Sequence, residues 1–203
     1  MLYSQTEQNL LQAGLADVQV ICPTLRIDLR YAGTSNFLDE ILYREITHAF
    51  LQAEAAAKLA RAQQLLQTTH PHLSIIVFDA ARPLHVQAYM FDKVKNTPAE
   101  KFVANPNKGS MHNYGMAADV SLVNEKNEEL DMGSAFDDFN LISMPLHEQT
   151  FLVQQKLSAT QYENRLLLRS AMCRAGFLAI DTEWWHFDAE EKNKVRETYL
   201  LLP

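Results

Sequence analysis

The chain has 203 residues, enough for one domain with a sizeable core, here read as residues 1–203. Its 47% hydrophobic and 21% charged residues are the make-up of an ordinary globular protein. Lys and Arg total 18 against 25 Asp and Glu, a formal net charge of -7, and no basic run stands out, which argues against nucleic acid as a partner.

The two cysteines, Cys22 and Cys173, are far apart and show no C-x-x-C spacing. They are expected to be two buried free thiols rather than a long-range disulfide. The start, M-L-Y-S-Q-T-E-Q-N-L-L, has neither the basic n-region nor the unbroken apolar stretch of a signal peptide. No segment approaches the apolar length that spans a membrane. The expected location is the cytoplasm, or the periplasm if a leader has been removed.

In chain order, alternating apolar residues after Pro23 predict a half-buried strand ending near Tyr31. The turn-rich A-G-T-S-N-F follows. Phe50 to Leu66 lacks Pro and Gly and predicts a helix ending near Thr68, because His70 precedes Pro71. Ser74 to Asp79, S-I-I-V-F-D, predicts a central strand. After D-A-A-R-P, residues Leu84 to Val94 predict a helix started by Pro83.

Residues Thr97 to Lys108 contain two prolines and read as a loop. Met116 to Val123 predicts a second buried strand, and Asp131 to Asp137 a compact loop pivoting on Gly133. Helices are predicted over His147 to Lys156 and over Gln161 to Ala175, the latter capped by Gly176. A strand over Phe177 to Asp188 and a short helix in the tail complete the chain. This mixed order predicts an α+β fold, a mostly antiparallel central sheet flanked by helices.

Two stretches carry the chemistry. Gly109 to Val120, G-S-M-H-N-Y-G-M-A-A-D-V, sets His112 and Asp119 in a small and apolar run. Thr182 to Asp188, T-E-W-W-H-F-D, supplies Glu183 and His186. Catalytic zinc takes three protein ligands of the imidazole and carboxylate types, and His112, Asp119 and His186 form such a set. Glu183, three residues before His186, can then serve as general base toward a water.

On spacing alone, a metal site and a set of hydrogen-bonded buried side chains both remain open. Asp119 calls for a partner in either case, because an unpaired carboxylate is costly to bury. Arg82, after a buried strand, is either a structural ion-pair partner or a fixed cation for a developing oxyanion. His48, His70, His72, His85 and His147 show no paired-ligand spacing and are read as structural or exposed. Of Trp184 and Trp185, strand alternation predicts one toward the core and one toward a pocket.

S-M-H-N-Y-G-M-A-A-D fits the S-x-H-x-x-G-x-A-x-D motif, and E-W-W-H the E-x-x-H motif, of zinc D,D-peptidases. With R-Y-A-G-T-S-N-F, D-A-A-R-P, D-M-G-S-A-F-D and N-R-L-L-L-R-S-A-M, the chain resembles the VanX-type D-alanyl-D-alanine dipeptidases over roughly residues 26 to 188. The resemblance implies the zinc D,D-peptidase fold shared with hedgehog-like domains, and one zinc ion on His112, Asp119 and His186. It implies Glu183 as base and Arg82 as the arginine that stabilises the transition state. Tyr31 and Asp137 match the end of the pocket that receives the substrate's amino group, and Ser110 a serine near its carboxylate.

The expected substrate is therefore a small dipeptide, D-alanyl-D-alanine. A D,D-carboxypeptidase or endopeptidase acting on peptidoglycan stem peptides is the alternative within the enzyme class. A zinc-binding module without catalysis is the alternative outside it. The chain departs from the pattern at Ala81, where the family often has an aromatic residue, and the exchange is expected to widen the pocket wall beside Arg82. It departs again after T-S-N-F, where L-D-E replaces a glycine-containing segment.

Overall fold

The computed structural model describes residues 3–202. Helix α1 (Gln5–Gln12) is followed by strand β1 (Leu15–Asp17), the short helix α2 (Val18–Ile21) and strand β2 (Arg26–Ile27). Next come β3 (Phe50–Gln52), α3 (Ala53–Thr69), β4 (Ser74–Asp79) and α4 (Leu84–Val94). After a long connection the chain forms β5 (Ala117–Val123), α5 (Glu148–Val153) and α6 (Ala159–Ala175). It closes with β6 (Leu178–Ala179), β7 (His186–Asp188) and α7 (Lys192–Thr198).

The main sheet has five strands in the order β2-β4-β5-β7-β6, and only the β2–β4 pair is parallel. A separate antiparallel ribbon joins β1 to β3. The architecture is α+β with a mostly antiparallel sheet flanked by helices, as the sequence predicts. Among the described residues, no helix is long and apolar enough to cross a membrane.

One face of the sheet is apolar for a simple reason of alternation. Ile75 and Val77 of β4 lie beside Leu122 and Val120 of β5, and these pack with Leu59 and Leu66 of α3 and Leu168 and Met172 of α6. The opposite face of the same strands carries Ser121 and Asp119. A bulge between Val77 and Asp79 shifts the register, so Asp79 rather than Phe78 stands opposite Asp119. Bulges re-aim side chains in this way, and here two carboxylates are brought face to face.

Several predicted boundaries move. The strand predicted to reach Tyr31 pairs only at Arg26 and Ile27, and Tyr31 lies in a 3-10 turn, Arg30–Ala32. The buried Asn36 amide donates to the carbonyls of Arg30, Gly33 and Glu40, gathering the chain into a compact loop that competes with the sheet. Phe50–Gln52 pairs with β1 instead of starting a helix, so α3 begins at Ala53. The helix predicted over 147–156 is confined to Glu148–Val153.

The strand predicted over Phe177 to Asp188 is two short strands with a loop between them. The loop's backbone bonds elsewhere: Trp184 N–H donates to the Ser143 carbonyl, and Leu146 N–H to that of Asp181. Cys22 is buried, but Cys173 is exposed on α6, so the expectation of two buried thiols fails for the second. Trp184 and Trp185 are both buried, and only Trp185 also lines the pocket described next.

Candidate metal centre and pocket

His112 sits in a 3-10 turn, Met111–Tyr114, that begins at Ser110 and ends at Gly115. Ser110 Oγ accepts from His112 N–H at 3.1 Å and caps the turn. Gly115 adopts φ +67°, and a Cβ there would stand 3.1 Å from Leu15 Cδ2 and 3.4 Å from the Gln52 nitrogen. Glycine is therefore needed for both conformation and space. Three bonds hook the turn onto residues 80–82: His112 Nδ1 donates to the Ala80 carbonyl (2.7 Å), Arg82 N–H to that of His112 (3.0 Å), and Asn113 Nδ2 to that of Arg82 (2.8 Å).

Asp119 of β5 is directly opposite His186 of β7. Its Oδ1 lies 2.9 Å from His186 Nδ1 and 3.3 Å from His112 Nε2, and the two ring nitrogens are 3.1 Å apart. The three ligand atoms lie within 4.8 Å of one another, the one such metal-competent group among the described residues. The other five histidines stay outside it. The far nitrogens of both rings are engaged, His112 Nδ1 by Ala80 and His186 Nε2 by Asp188 Oδ1 at 2.8 Å. Such partners fix the ring orientation and leave the inner nitrogens free to bind a metal.

The electrostatics of the cluster fit a cation. Burial raises the pKa of Asp119, but His112 and His186 outweigh it and hold the carboxyl well below the usual range. Burial disfavours a charged His186, yet hydrogen bonds to Asp119 and Asp188 hold its pKa well above that of free histidine. A divalent cation would satisfy the inward-facing lone pairs of the two rings and of the Asp119 carboxylate together. Two imidazoles and a carboxylate are the donor chemistry that zinc takes.

The cluster opens into a pocket of about 470 Å³ that is also lined by Tyr31, Arg82, Ser110, Asp137, Glu183 and Trp185. All eight candidate residues named from the sequence thus meet at one place. Burial pushes the Glu183 carboxyl up, with His186 pulling the other way. Tyr31 Oη donates to Asp137 Oδ1 at 3.1 Å, and Phe37 N–H donates to Oδ2 at 3.3 Å. Burial and the negative charge of Asp119 push Asp137 well above the ordinary carboxylate range. A cation arriving beside it would reverse that shift.

Arg82 is 7% exposed. Its Nε and Nη2 donate to Asp79 Oδ2 at 3.0 and 2.6 Å, and Nη1 donates to Gln87 Oε1 at 2.8 Å. Asp79 Oδ1 also accepts from Tyr43 Oη at 2.6 Å. Arg82 is therefore a buried ion-pair partner, the first of the two roles weighed from the sequence, and it also lines the pocket. Ala81 does not widen the pocket wall there. Its methyl packs away from the pocket, against Leu10, Leu15, Phe50 and Leu202.

Residues 11–202 match the model of the D-Ala-D-Ala dipeptidase family, peptidase family M15. The chain belongs to that family. The "D-alanyl-D-alanine dipeptidase" of Escherichia coli K12 is 32% identical over 174 residues, 86% of this chain and 83% of that protein. The Synechocystis protein of the same name is 30% identical over 167 residues, covering 68% of each chain. The Enterococcus faecium one is 26% identical over 194 residues, 87% of this chain and 92% of its own. The chain is accordingly a metallopeptidase, of a family that acts on dipeptides.

Reading the sequence missed Asp79, Gln87 and Asp188. Asp79 ends an apolar strand and called for a partner on the same grounds as Asp119. Asp188 lies two residues after His186, on the same side of a strand. Gln87 falls on the buried face of α4 beside Val86, Met90 and Val94, where a polar residue is conspicuous.

Proposed function

We propose that the whole chain, 1–203, is one zinc-dependent dipeptidase domain that hydrolyses D-alanyl-D-alanine to two D-alanines. The observation that carries this reading is the convergence of His112, Asp119 and His186 in a pocket shared with Glu183, Arg82 and Asp137. His112, Asp119 and His186 would hold the zinc ion, which would supply Lewis acidity toward a carbonyl and toward water near neutral pH.

The chain's own residues do the rest. Glu183, its proton affinity raised by burial, takes a proton from the attacking water and delivers it to the leaving amine. Arg82 stays charged and presents N–H donors to the developing oxyanion, a contribution of roughly 3 kcal/mol. Asp137, oriented by Tyr31, receives the free ammonium of the dipeptide, and a buried ammonium requires such a carboxylate. Ser110, which lines the pocket, is assigned to the carboxylate end; its Oγ accepts from His112 N–H and its own O–H remains a donor.

Asp137 favours a dipeptide over a longer peptide, because an acylated amine brings no charge and needs more room. Hydrolysis of D-Ala-D-Ala beside N-acetyl-D-Ala-D-Ala tests the reading. Turnover of the free dipeptide alone is expected. Preference for the blocked one would replace the dipeptidase with a carboxypeptidase.

A further inference from the structure

A guanidinium has five N–H bonds. In Arg82 three of them are committed within the protein, two to Asp79 Oδ2 and one to Gln87 Oε1. The remaining N–H bonds are one on each terminal nitrogen, and Nη2 also stands 4.0 Å from Asp119 Oδ2 at the pocket that Arg82 lines. Asp79 supplies charge as well as direction. Gln87 supplies no charge, so its effect on Arg82 is one of direction.

Gln87 is fully buried on α4. A buried amide must find partners for both its ends. Its oxygen takes Arg82 Nη1, and its Nε2 donates to the Ala104 carbonyl at 2.8 Å. The reverse orientation would set an NH₂ group against a guanidinium, so the chemistry fixes which end is which. Ala104 belongs to the connection between α4 and the His112 turn, where Lys101, Phe102, Val103 and Ala104 line the pocket. One side chain thus joins the pocket wall to the arginine.

We propose that Gln87 is a positioning residue that holds the plane of the Arg82 guanidinium and locks it to the 101–104 wall. The inference deepens the proposed function and rests on it for the role of Arg82. The contact between Gln87 and the wall does not depend on that role.

Two variants separate the two ends of the amide. Gln87→Met keeps the volume and loses both bonds, whereas Gln87→Glu still accepts from Arg82 but cannot donate to Ala104. Each is followed by kcat and KM for D-Ala-D-Ala, by melting temperature and by amide hydrogen exchange over residues 97–108. Gln87→Met is expected to lower kcat roughly 10- to 100-fold, the scale of a misaimed catalytic group, with KM little changed and faster exchange in 97–108. Gln87→Glu is expected to recover most of kcat while exchange stays fast. A merely structural residue would lower the melting temperature and leave that split unmade.

A folded Gln87→Met with wild-type kcat overturns the proposal, as does a Gln87→Glu no more active than Gln87→Met. Should Gln87→Met fail to fold, Gln87→Glu decides: near-wild-type kcat with fast exchange supports the proposal, and any other result overturns it. A wild-type enzyme inert toward D-Ala-D-Ala would remove the dipeptidase reading. The exchange data then decide alone, with slow, wild-type exchange in Gln87→Met counting against the lock and fast exchange for it.

Discussion

Asp119 stands directly across the sheet from His186 on one side and from Asp79 on the other, with its Oδ1 2.9 Å from His186 Nδ1. Three adjacent strands thus contribute one row of polar residues to a single face. A slip of one residue in β5 would turn Asp119 into the apolar core, so the sheet register and the candidate metal centre are specified together.

The row continues to Asp188, which accepts from His186 Nε2. Asp188→Asn should keep the fold and weaken metal binding by about 10- to 100-fold, the usual effect of removing such a partner. Competition titration with a zinc-binding dye measures it. Unchanged affinity would remove Asp188 from the account.

Glu183 has no part in the three-residue cluster, so its removal should separate chemistry from metal loading. Glu183→Gln is expected to bind zinc like the wild type and to lose at least roughly 100-fold in kcat. Metal analysis and steady-state kinetics on one preparation check both halves. A zinc-loaded variant with normal turnover would transfer the role of base elsewhere.

At the other end of the pocket, Asp137→Asn keeps the side-chain shape and removes the charge, and its single oxygen can accept from only one of Tyr31 Oη and Phe37 N–H. KM for D-Ala-D-Ala should rise by about 10-fold or more, the order for losing a charged hydrogen-bond partner. The discrimination against N-acetyl-D-Ala-D-Ala should narrow. Equal KM values for the variant and wild type would show that the ammonium binds elsewhere.

Part of the acid sensitivity should arise outside the pocket, at Glu7. This carboxylate is 1% exposed and accepts from Ser4 N–H, Thr47 N–H and His48 N–H at 2.8–3.0 Å. Burial alone would raise its pKa, but the bonds from Thr47, His48 and Ser4 bring it from 4.5 down to about 2. The stabilisation is therefore complete above the unfolded value of 4.5 and is lost as pH falls through about 2. Glu7→Gln should cost about 2–3 kcal/mol at pH 7 and progressively less toward pH 2. Melting temperatures of both proteins across that range measure the convergence. A constant difference would deny Glu7 the role.

Much of this was legible in the sequence where local chemistry decides. Ser74–Asp79 and Leu84–Val94 form as predicted, because an apolar β-rich run and a proline-started helix leave little competition. The His112, Asp119 and His186 set was legible through the S-x-H-x-x-G-x-A-x-D and E-x-x-H motifs rather than through spacing, which left two readings open. Tyr31 and Glu183 were placed on strands but lie in a turn and a loop, since Asn36 and Ser143 draw the backbone away by bonds that periodicity does not encode. The hold of Asp79 and Gln87 on Arg82 depends on a bulge and a helix packing that arise only in three dimensions.

The central claim is that a metal on His112, Asp119 and His186 makes this chain a D-alanyl-D-alanine dipeptidase. The most direct measurement is D-alanine release from D-Ala-D-Ala by the zinc-loaded protein, by the chelated protein, and by the chelated protein after zinc is returned. The account predicts turnover, its loss, and its recovery with about one zinc per chain, the stoichiometry of a single three-ligand site. Undiminished turnover in protein shown to be metal-free would contradict it.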